Sequence, residues 1–252
     1  MKIAALISGE PRFCEEFDIQ LSSLTVEYPI DWFFLIWQKN DKIHHTGYDI
    51  VAPFWKNVEY NSAYQKIEQY LPHNHKIINL TVENKDNYSI NFTPKHKSKE
   101  TNPDYVWLKF NGFYHVNQIR KKYLESYDLI IMTRPDISIE PKLNFDEIKD
   151  ILDKHPNSIM TPKRDSGGWL GKYINDNFII AKPEQMDIFC DHIHYIPKFQ
   201  EENFLFHPET MLAEFSHRKN LNVIRHNIDY QLRALGTNVG RDNYISKFGR
   251  WA

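Results

Sequence analysis

Short apolar runs alternate with polar stretches along this sequence, and their spacing predicts alternating strands and helices. Residues 2–8 form an apolar run that predicts a first strand, broken by Gly9, Glu10, Pro11 and Arg12. Phe13, Phe17, Leu21 and Leu24 then recur at helical spacing, so 13–24 reads as a helix. Phe33, Phe34, Leu35 and Ile36 stand in a row within 31–37, which predicts a second buried strand. Strand, tight turn, helix and strand in that order predict a parallel, Rossmann-like sheet.

Further along, 63–70 reads as a short helix and 77–82 as a strand. Residues 83–104 are rich in Asn, Lys, Ser, Thr and Pro without hydrophobic periodicity, the pattern of a flexible insertion or flap. Residues 105–124 carry Val106, Trp107, Phe110, Phe113, Tyr114, Val116, Ile119 and Tyr123, the best amphipathic helix in the chain. It delivers the chain into an apolar run, Leu129–Ile130–Ile131–Met132, which reads as a strand buried on both faces. Helices are predicted at 145–152, 183–193 and 208–215, and strands at 158–161, 177–181 and 222–225. Residues 163–177 form a loop with Gly167, Gly168 and Gly171, and 236–252 a Gly-containing tail. There are no repeats and no composition break, so 1–252 reads as a single α/β domain with a mostly parallel sheet flanked by helices.

The candidate chemistry lies where predicted strands stop. After Met132 comes Thr133-Arg134-Pro135-Asp136, and Pro135 cannot donate to a central ladder, so the strand ends there. Ligands of open α/β sheets collect at the carboxyl ends of strands. A cation and a carboxylate two residues apart at such an end suit an anionic ligand with a divalent metal. Taken alone, Arg-Pro-Asp is also an ordinary turn, with Asp136 bonding its own backbone. Ser8-Gly9-Glu10-Pro11-Arg12 offers free backbone N–H groups at a strand–helix junction, and Arg12 adds a cation for phosphate. It is neither a dinucleotide fingerprint nor a Walker loop. Asp176 opens a predicted strand, and Glu209 follows Pro208 in the first turn of a predicted helix. Acidic first turns are ordinary helix chemistry, and either carboxylate also suits a proton acceptor in a cleft.

Composition narrows the field. A net charge of −2 argues against a general nucleic-acid binder. The aromatic share of 14% is high enough to suit a sugar or nucleotide site, though aromatics more often fill cores. Cys14 and Cys190 have neither metal-ligand nor disulfide-framework spacing, which fits a reducing, cytoplasmic setting. The apolar stretch at 1–9 is cut off too early for a signal peptide, and no run reaches the length of a transmembrane segment. The sequons at Asn79, Asn87 and Asn91 read as chance matches in an Asn-rich region.

Ala5-Leu6-Ile7-Ser8-Gly9-Glu10-Pro11-Arg12 and Tyr127-Asp128-Leu129-Ile130-Ile131-Met132-Thr133-Arg134-Pro135-Asp136 resemble segments of a family of bacterial and viral GT-A-like glycosyltransferases. Asp176-Asn177-Phe178 and His207-Pro208-Glu209 follow in matching order. The resemblance implies a nucleotide-binding α/β sheet that uses a nucleotide-diphosphate sugar donor and a glycan or other hydroxyl acceptor, often with Mn²⁺ or Mg²⁺. It implies that Ser8, Gly9, Arg12 and Arg134 face the nucleotide diphosphate. Asp136 would be the surviving carboxylate of an Asp-x-Asp metal motif. Asp176 and Glu209 fall on the acceptor side, with Glu209 the first choice of base for an inverting reaction. Arg134 departs from the pattern by standing at the first acid position, where a guanidinium cannot ligate a metal. Two rivals fit the same sheet: a metal-dependent nucleotidyl or phosphoryl transferase, and a non-catalytic nucleotide-sugar-binding module.

Overall fold

The computed structural model describes residues 1–9, 28–38, 64–65, 67–69, 71–88, 90, 92–97, 101–135, 137–139, 143–163, 173–228 and 230–232. The predicted helix at 13–24, residues 164–172 of the predicted loop and the predicted tail at 236–252 lie outside these residues, as do Arg12, Cys14 and Asp136.

Four strands run parallel: β1 (Ile3–Gly9) lies between β2 (Ile30–Gln38) and β4 (Leu129–Thr133), and β3 (Lys76–Asn84) flanks β2. After a short strand β5 (Ile137–Ile139), β6 (Ser158–Pro162), β7 (Phe178–Ala181) and β8 (Asn222–His226) complete the sheet. The order is β3-β2-β1-β4-β7-β6-β8 across seven strands. β7 runs against β4 and β6, while β8 is again parallel to β6. The fold is therefore α/β with a mostly parallel central sheet. β5 pairs separately with β9 (Tyr230–Leu232) in a small antiparallel ribbon.

The sheet is covered on both sides, and the strands alternate between two cores. Ile3, Ala5 and Ile7 of β1 join Trp32, Phe34 and Ile36 of β2 on one face, with Phe145, Ile148 and Leu152 of α2 (Phe145–Lys154), which follows the long helix α1 (Pro103–Lys121) in the chain. Ala4 and Leu6 join Phe33, Leu35 and Trp37 on the other face, beneath Val106, Phe110, Phe113 and Val116 of α1. The same layer includes α3 (Pro183–Cys190), α4 (Ile196–Glu201) and α5 (Pro208–Arg218). This two-sided burial is why the strands read as continuous apolar runs rather than alternating ones. Each fully buried Phe or Leu contributes roughly 1.5–3 kcal/mol of transfer free energy.

α1 sets the geometry of the site. Asn102 caps it by accepting from the Asp104 amide, and Pro103 needs no donor partner at the first position. The helix packs over β1 and β2, and Gly112 lets its backbone press onto β1: a Cβ there would lie 2.0 Å from Ser8 Oγ. Arg120 and Asn117 then bind Asp187, tying α1 to α3. At the amino ends of the central strands, Lys2 joins Asp31 and Glu125 at 3.2 and 2.7 Å. Tyr127 donates to Asp31 at 3.0 Å, and burial raises its phenol pKa.

The predicted elements within the described residues are present, with shifted ends. α1 begins at Pro103 and α5 continues to Arg218. The helix predicted at 183–193 is α-helical only to Cys190 and then tightens into a 3₁₀ turn at Asp191–Tyr195. α4 and the β5–β9 ribbon were not predicted. Within 83–104, Lys85–Tyr88 forms a 3₁₀ turn, and Phe92 packs edge-on against Trp107 and Phe206. The Phe206 amide donates to the His96 carbonyl at 2.7 Å.

Candidate active site

In this sheet the strand order turns about β1: β2 and β3 lie to one side and β4 to the other. Side chains beyond the carboxyl ends of β1 and β4 therefore border a crevice at a topological switch point, the position where open α/β sheets bind ligands. A cleft lies there. Among the described residues it is lined by Ser8 and Gly9 at the end of β1, Trp37 near the end of β2, Arg134 just past β4, and Tyr105, Leu108 and Lys109 on α1. Its enclosed volume is about 30 Å³, and it opens to solvent.

The backbone that frames this cleft is tightly determined. Gly9 has φ of +148°, a conformation L side chains rarely adopt. A Cβ on Gly9 would sit 3.0 Å from Pro135 Cδ, so the ends of β1 and β4 touch. Ser8 Oγ and Trp37 Nε1 are both buried with no hydrogen-bond partner among the described residues. Both lie against Gly112, and both belong to residues that line the cleft. Orphaned buried donors cost roughly 1–3 kcal/mol each, so they suit a polar ligand or water at the cleft floor.

The charged part of the site is assembled by the reversal of β7. Because β7 is antiparallel to β4, the residues that precede it arrive at the edge where β4 ends. Thr133 Oγ1 donates to the Asn177 carbonyl at 2.9 Å, and the Asn177 amide donates to Asn175 Oδ1 at 3.0 Å. Thr161 Oγ1 holds the Asn175 carbonyl at 3.2 Å. So fixed, Asn177 Oδ1 accepts from Arg134 Nη1 at 3.3 Å and from Lys109 Nζ at 3.4 Å. Lys109 Nζ also pairs with Asp176 Oδ2 at 2.5 Å, with side chains only 6% and 7% exposed. The Arg134 guanidinium lies 5.9 Å from the Tyr105 ring centre, within cation–π range.

Of the residues singled out from sequence, Ser8, Gly9 and Arg134 line one cleft, and Asp176 joins them through Lys109. Glu209 does not line the cleft. It lies in the first turn of α5, where its carbonyl accepts from the Ile174 amide at 3.1 Å, tying α5 to the segment that carries Asp176. His207 precedes it, bonded through Nδ1 to Thr210 Oγ1 at 3.1 Å. Arg12 and Asp136 lie outside the described residues. Sequence reading missed Trp37, Tyr105 and Lys109. The signal for Lys109 was present: it shares the buried face of α1 with Val106 and Phe113, and a lysine at a core-facing helical position asks for a partner.

The donor chemistry here is cationic. Among the described residues no group of three or more His, Cys, Asp or Glu side chains is placed to hold a metal ion. Asp176, the described carboxylate beside the cleft, is engaged by Lys109. The described residues alone do not make a divalent-metal site, and the candidate ligand Asp136 lies outside them. No described helix is long and apolar enough to cross a membrane.

No protein-family model matches the chain, and no curated protein sequence is significantly similar to it. Among solved structures, mouse xyloside xylosyltransferase 1 in its apo form aligns with 90% of this chain and 85% of its own, at 12% identity and a TM-score of 0.49.

Proposed function

We propose that this chain is a glycosyltransferase that takes a nucleotide-diphosphate sugar and passes its sugar to a hydroxyl acceptor. The observation that carries the reading is the cleft at the β1–β4 switch point, where Ser8 and Gly9 face Arg134 and Lys109. An α/β sheet with cations at this crevice suits a nucleotide whose diphosphate leaves with added negative charge. The resemblance of the Ser8–Arg12 and Tyr127–Asp136 segments to GT-A-like enzymes points to the same chemistry.

In this reading the acceptor oxygen attacks the anomeric carbon and the bond from that carbon to the phosphate oxygen breaks. The electron pair leaves with the nucleoside diphosphate, beside Arg134. The acceptor proton passes to a carboxylate. Glu209, in the first turn of α5 and away from the cleft lining, stays the first choice on the resemblance alone, and Asp176, bound to Lys109 beside the cleft, is the second. Arg12 would add a further phosphate contact. Asp136, two residues after Arg134, is the candidate for a divalent-metal contact. We favour inversion at the anomeric carbon and a cytoplasmic setting.

The test is turnover across a panel of nucleotide sugars and simple glycan acceptors, with Mn²⁺ or with a chelator. Release of nucleoside diphosphate with a glycosylated product supports the reading. Release of pyrophosphate identifies a nucleotidyl transferase instead, and donor binding without any product identifies a binding module. An Asp136→Asn variant that loses Mn²⁺-enhanced donor binding would assign the metal contact to that residue. Indifference of the wild type to Mn²⁺ and chelator would remove it.

A further inference from the structure

The described part of the connection between β3 and α1, residues 85–88, 90 and 92–97, lies along the core layer that α1 shares with α5. At its start the Tyr88 hydroxyl donates to the Glu83 carboxylate, near the end of β3. The Tyr88 ring stands edge-on against Trp37, with centres 4.8 Å apart, and meets His115 of α1 at 5.9 Å. Ile90 packs into the same layer. At the far end the Phe92 ring meets Trp107 at 6.1 Å and Phe206 at 5.9 Å, both edge-on. The His96 carbonyl accepts from the Phe206 amide at 2.7 Å, and Lys97 forms a parallel bridge with Phe206. Phe206 is fully buried and stands two residues before Pro208, which opens α5. One connection therefore grips both a wall of the cleft, Trp37, and the turn that leads to Glu209.

We propose that this connection is a clasp that opens and closes as a unit, and that it couples the cleft to the start of α5. Its link to catalysis rests on the transferase reading. Ring contacts and an isolated bridge hold it, rather than a hydrogen-bonded ladder, so it opens more readily than the central sheet. Trp37 makes the clasp sensitive to ligand. Its Nε1 is buried with no hydrogen-bond partner among the described residues, and its ring is 2% exposed with Tyr88 resting against it. A closed clasp keeps that donor dry, which disfavours closure. A ligand oxygen that accepts from Nε1 removes the penalty and so favours the closed state, and a ligand shifts an equilibrium only through such a difference between states. Closure holds Phe92 and His96 on Phe206 and thereby fixes the turn that carries His207 and Glu209. Tyr88 and Phe92 are positioning residues in this scheme.

The test is amide hydrogen exchange on the full chain, read residue by residue by NMR. The Phe206 amide reports the far end, because its acceptor is His96. Tyr88→Ala loosens the near end, where the ring meets Trp37 and His115. It speeds exchange at Phe206 about tenfold, the loss expected for one edge-on aromatic contact, while the β4 amides keep their wild-type rate. Tyr88→Leu, which keeps apolar bulk, gives a smaller change in the same direction and stands in if the alanine variant does not fold. An unchanged Phe206 rate overturns the proposal. So does an equal acceleration at β4, which would mean that the connection opens only with the whole fold. Uridine diphosphate and guanosine diphosphate are then added in turn, and the one that binds slows the Phe206 amide of the wild type. A nucleotide that binds and leaves that rate unchanged overturns the coupling to the cleft. If no nucleotide or nucleotide sugar binds or is turned over, the transferase reading fails, while the exchange rates of the variants still decide the clasp. If sugars are transferred and Phe206 is indifferent to the Tyr88 variants, the clasp fails while the transferase reading stands.

Discussion

Ser8 and Gly112 occupy what would otherwise be one side chain's space: the hydroxyl of Ser8 lies 2.0 Å from where a Cβ on Gly112 would be. The glycine is what lets α1 lie close enough to β1 for Tyr105 and Lys109 to reach the cleft. Gly112→Ala should therefore destabilise the fold by roughly 1–3 kcal/mol through overpacking, even though alanine is the better helix former. Ser8→Ala in the same chain should recover part of that loss, because the hydroxyl is the closest atom. Urea midpoints of the two single variants and the double variant measure the coupling, and strict additivity would show that the two positions do not compete.

Gly9 gives a second backbone test. At φ of +148° any residue with a Cβ is strained, and here the Cβ would also meet Pro135 Cδ at 3.0 Å. Gly9→Ala should cost about 1–3 kcal/mol. It should also weaken donor binding, since the ends of β1 and β4 would be pushed apart. A thermal melt with and without nucleotide sugar separates the two effects. A variant that melts lower yet gains the same ligand-induced shift as wild type would exclude the second effect.

Two buried histidines predict acid sensitivity. Burial lowers His192 from the usual 6.5 to about 4. Its Nδ1–H donates to the Phe189 carbonyl at 2.6 Å, and its ring meets Phe110 edge-on with centres 4.1 Å apart. Burial likewise lowers His75 to about 4, beside Trp32, whose Nε1–H donates to His75 Nδ1 at 3.2 Å. The unfolded chain takes up protons below pH 6.5 that the folded chain refuses. Stability contributed by the neutral rings is thus complete above 6.5 and falls as pH drops toward 4, by up to about 1.4 kcal/mol per pH unit for each histidine. Urea midpoints between pH 7.5 and 4.5 should show this fall, and His192→Phe should flatten it. An unchanged slope in that variant would assign the acid sensitivity elsewhere.

The two carboxylates differ in environment, and that difference predicts different phenotypes. Glu209→Gln should lower turnover about 10²–10⁴-fold if Glu209 is the base, with donor affinity nearly unchanged. Asp176→Asn should instead alter donor affinity, because it changes what Lys109 faces. If Glu209→Gln keeps near-normal turnover at saturating substrate and loses only a little thermal stability, the residue is a helix-terminus acid and nothing more. The base assignment would then pass to Asp176.

β4 was legible because Leu129–Met132 is continuously apolar and Pro135 ends it, and both facts are local. The parallel start of the sheet followed from one strand, one helical pattern and a second strand. The reversal of β7 was not legible, since nothing in Phe178–Ala181 encodes a direction relative to β4. Yet that reversal is what carries Asp176 and Asn177 to Arg134. Lys109 was passed over because counting apolar positions treats a lysine among them as noise. Composition suggested mobility for 83–104, and it could not reveal that Phe92 meets Trp107 and Phe206, a contact made across distant sequence. The three-residue strands β5 and β9 carry no local signal at all.

That ribbon bears on how the molecule comes into being. Ile137 pairs with Leu232 and Ile139 with Tyr230, so the chain just beyond Arg134 and Pro135 is stapled to the last strand described. At roughly 5–20 residues per second, several seconds of synthesis separate the two halves of the staple. A growing chain can pair β1 with β2 and β4 in that interval, but the cationic rim of its crevice stays untethered on one side. The segment just past β4 therefore gains this tether only after the sheet that it borders can form.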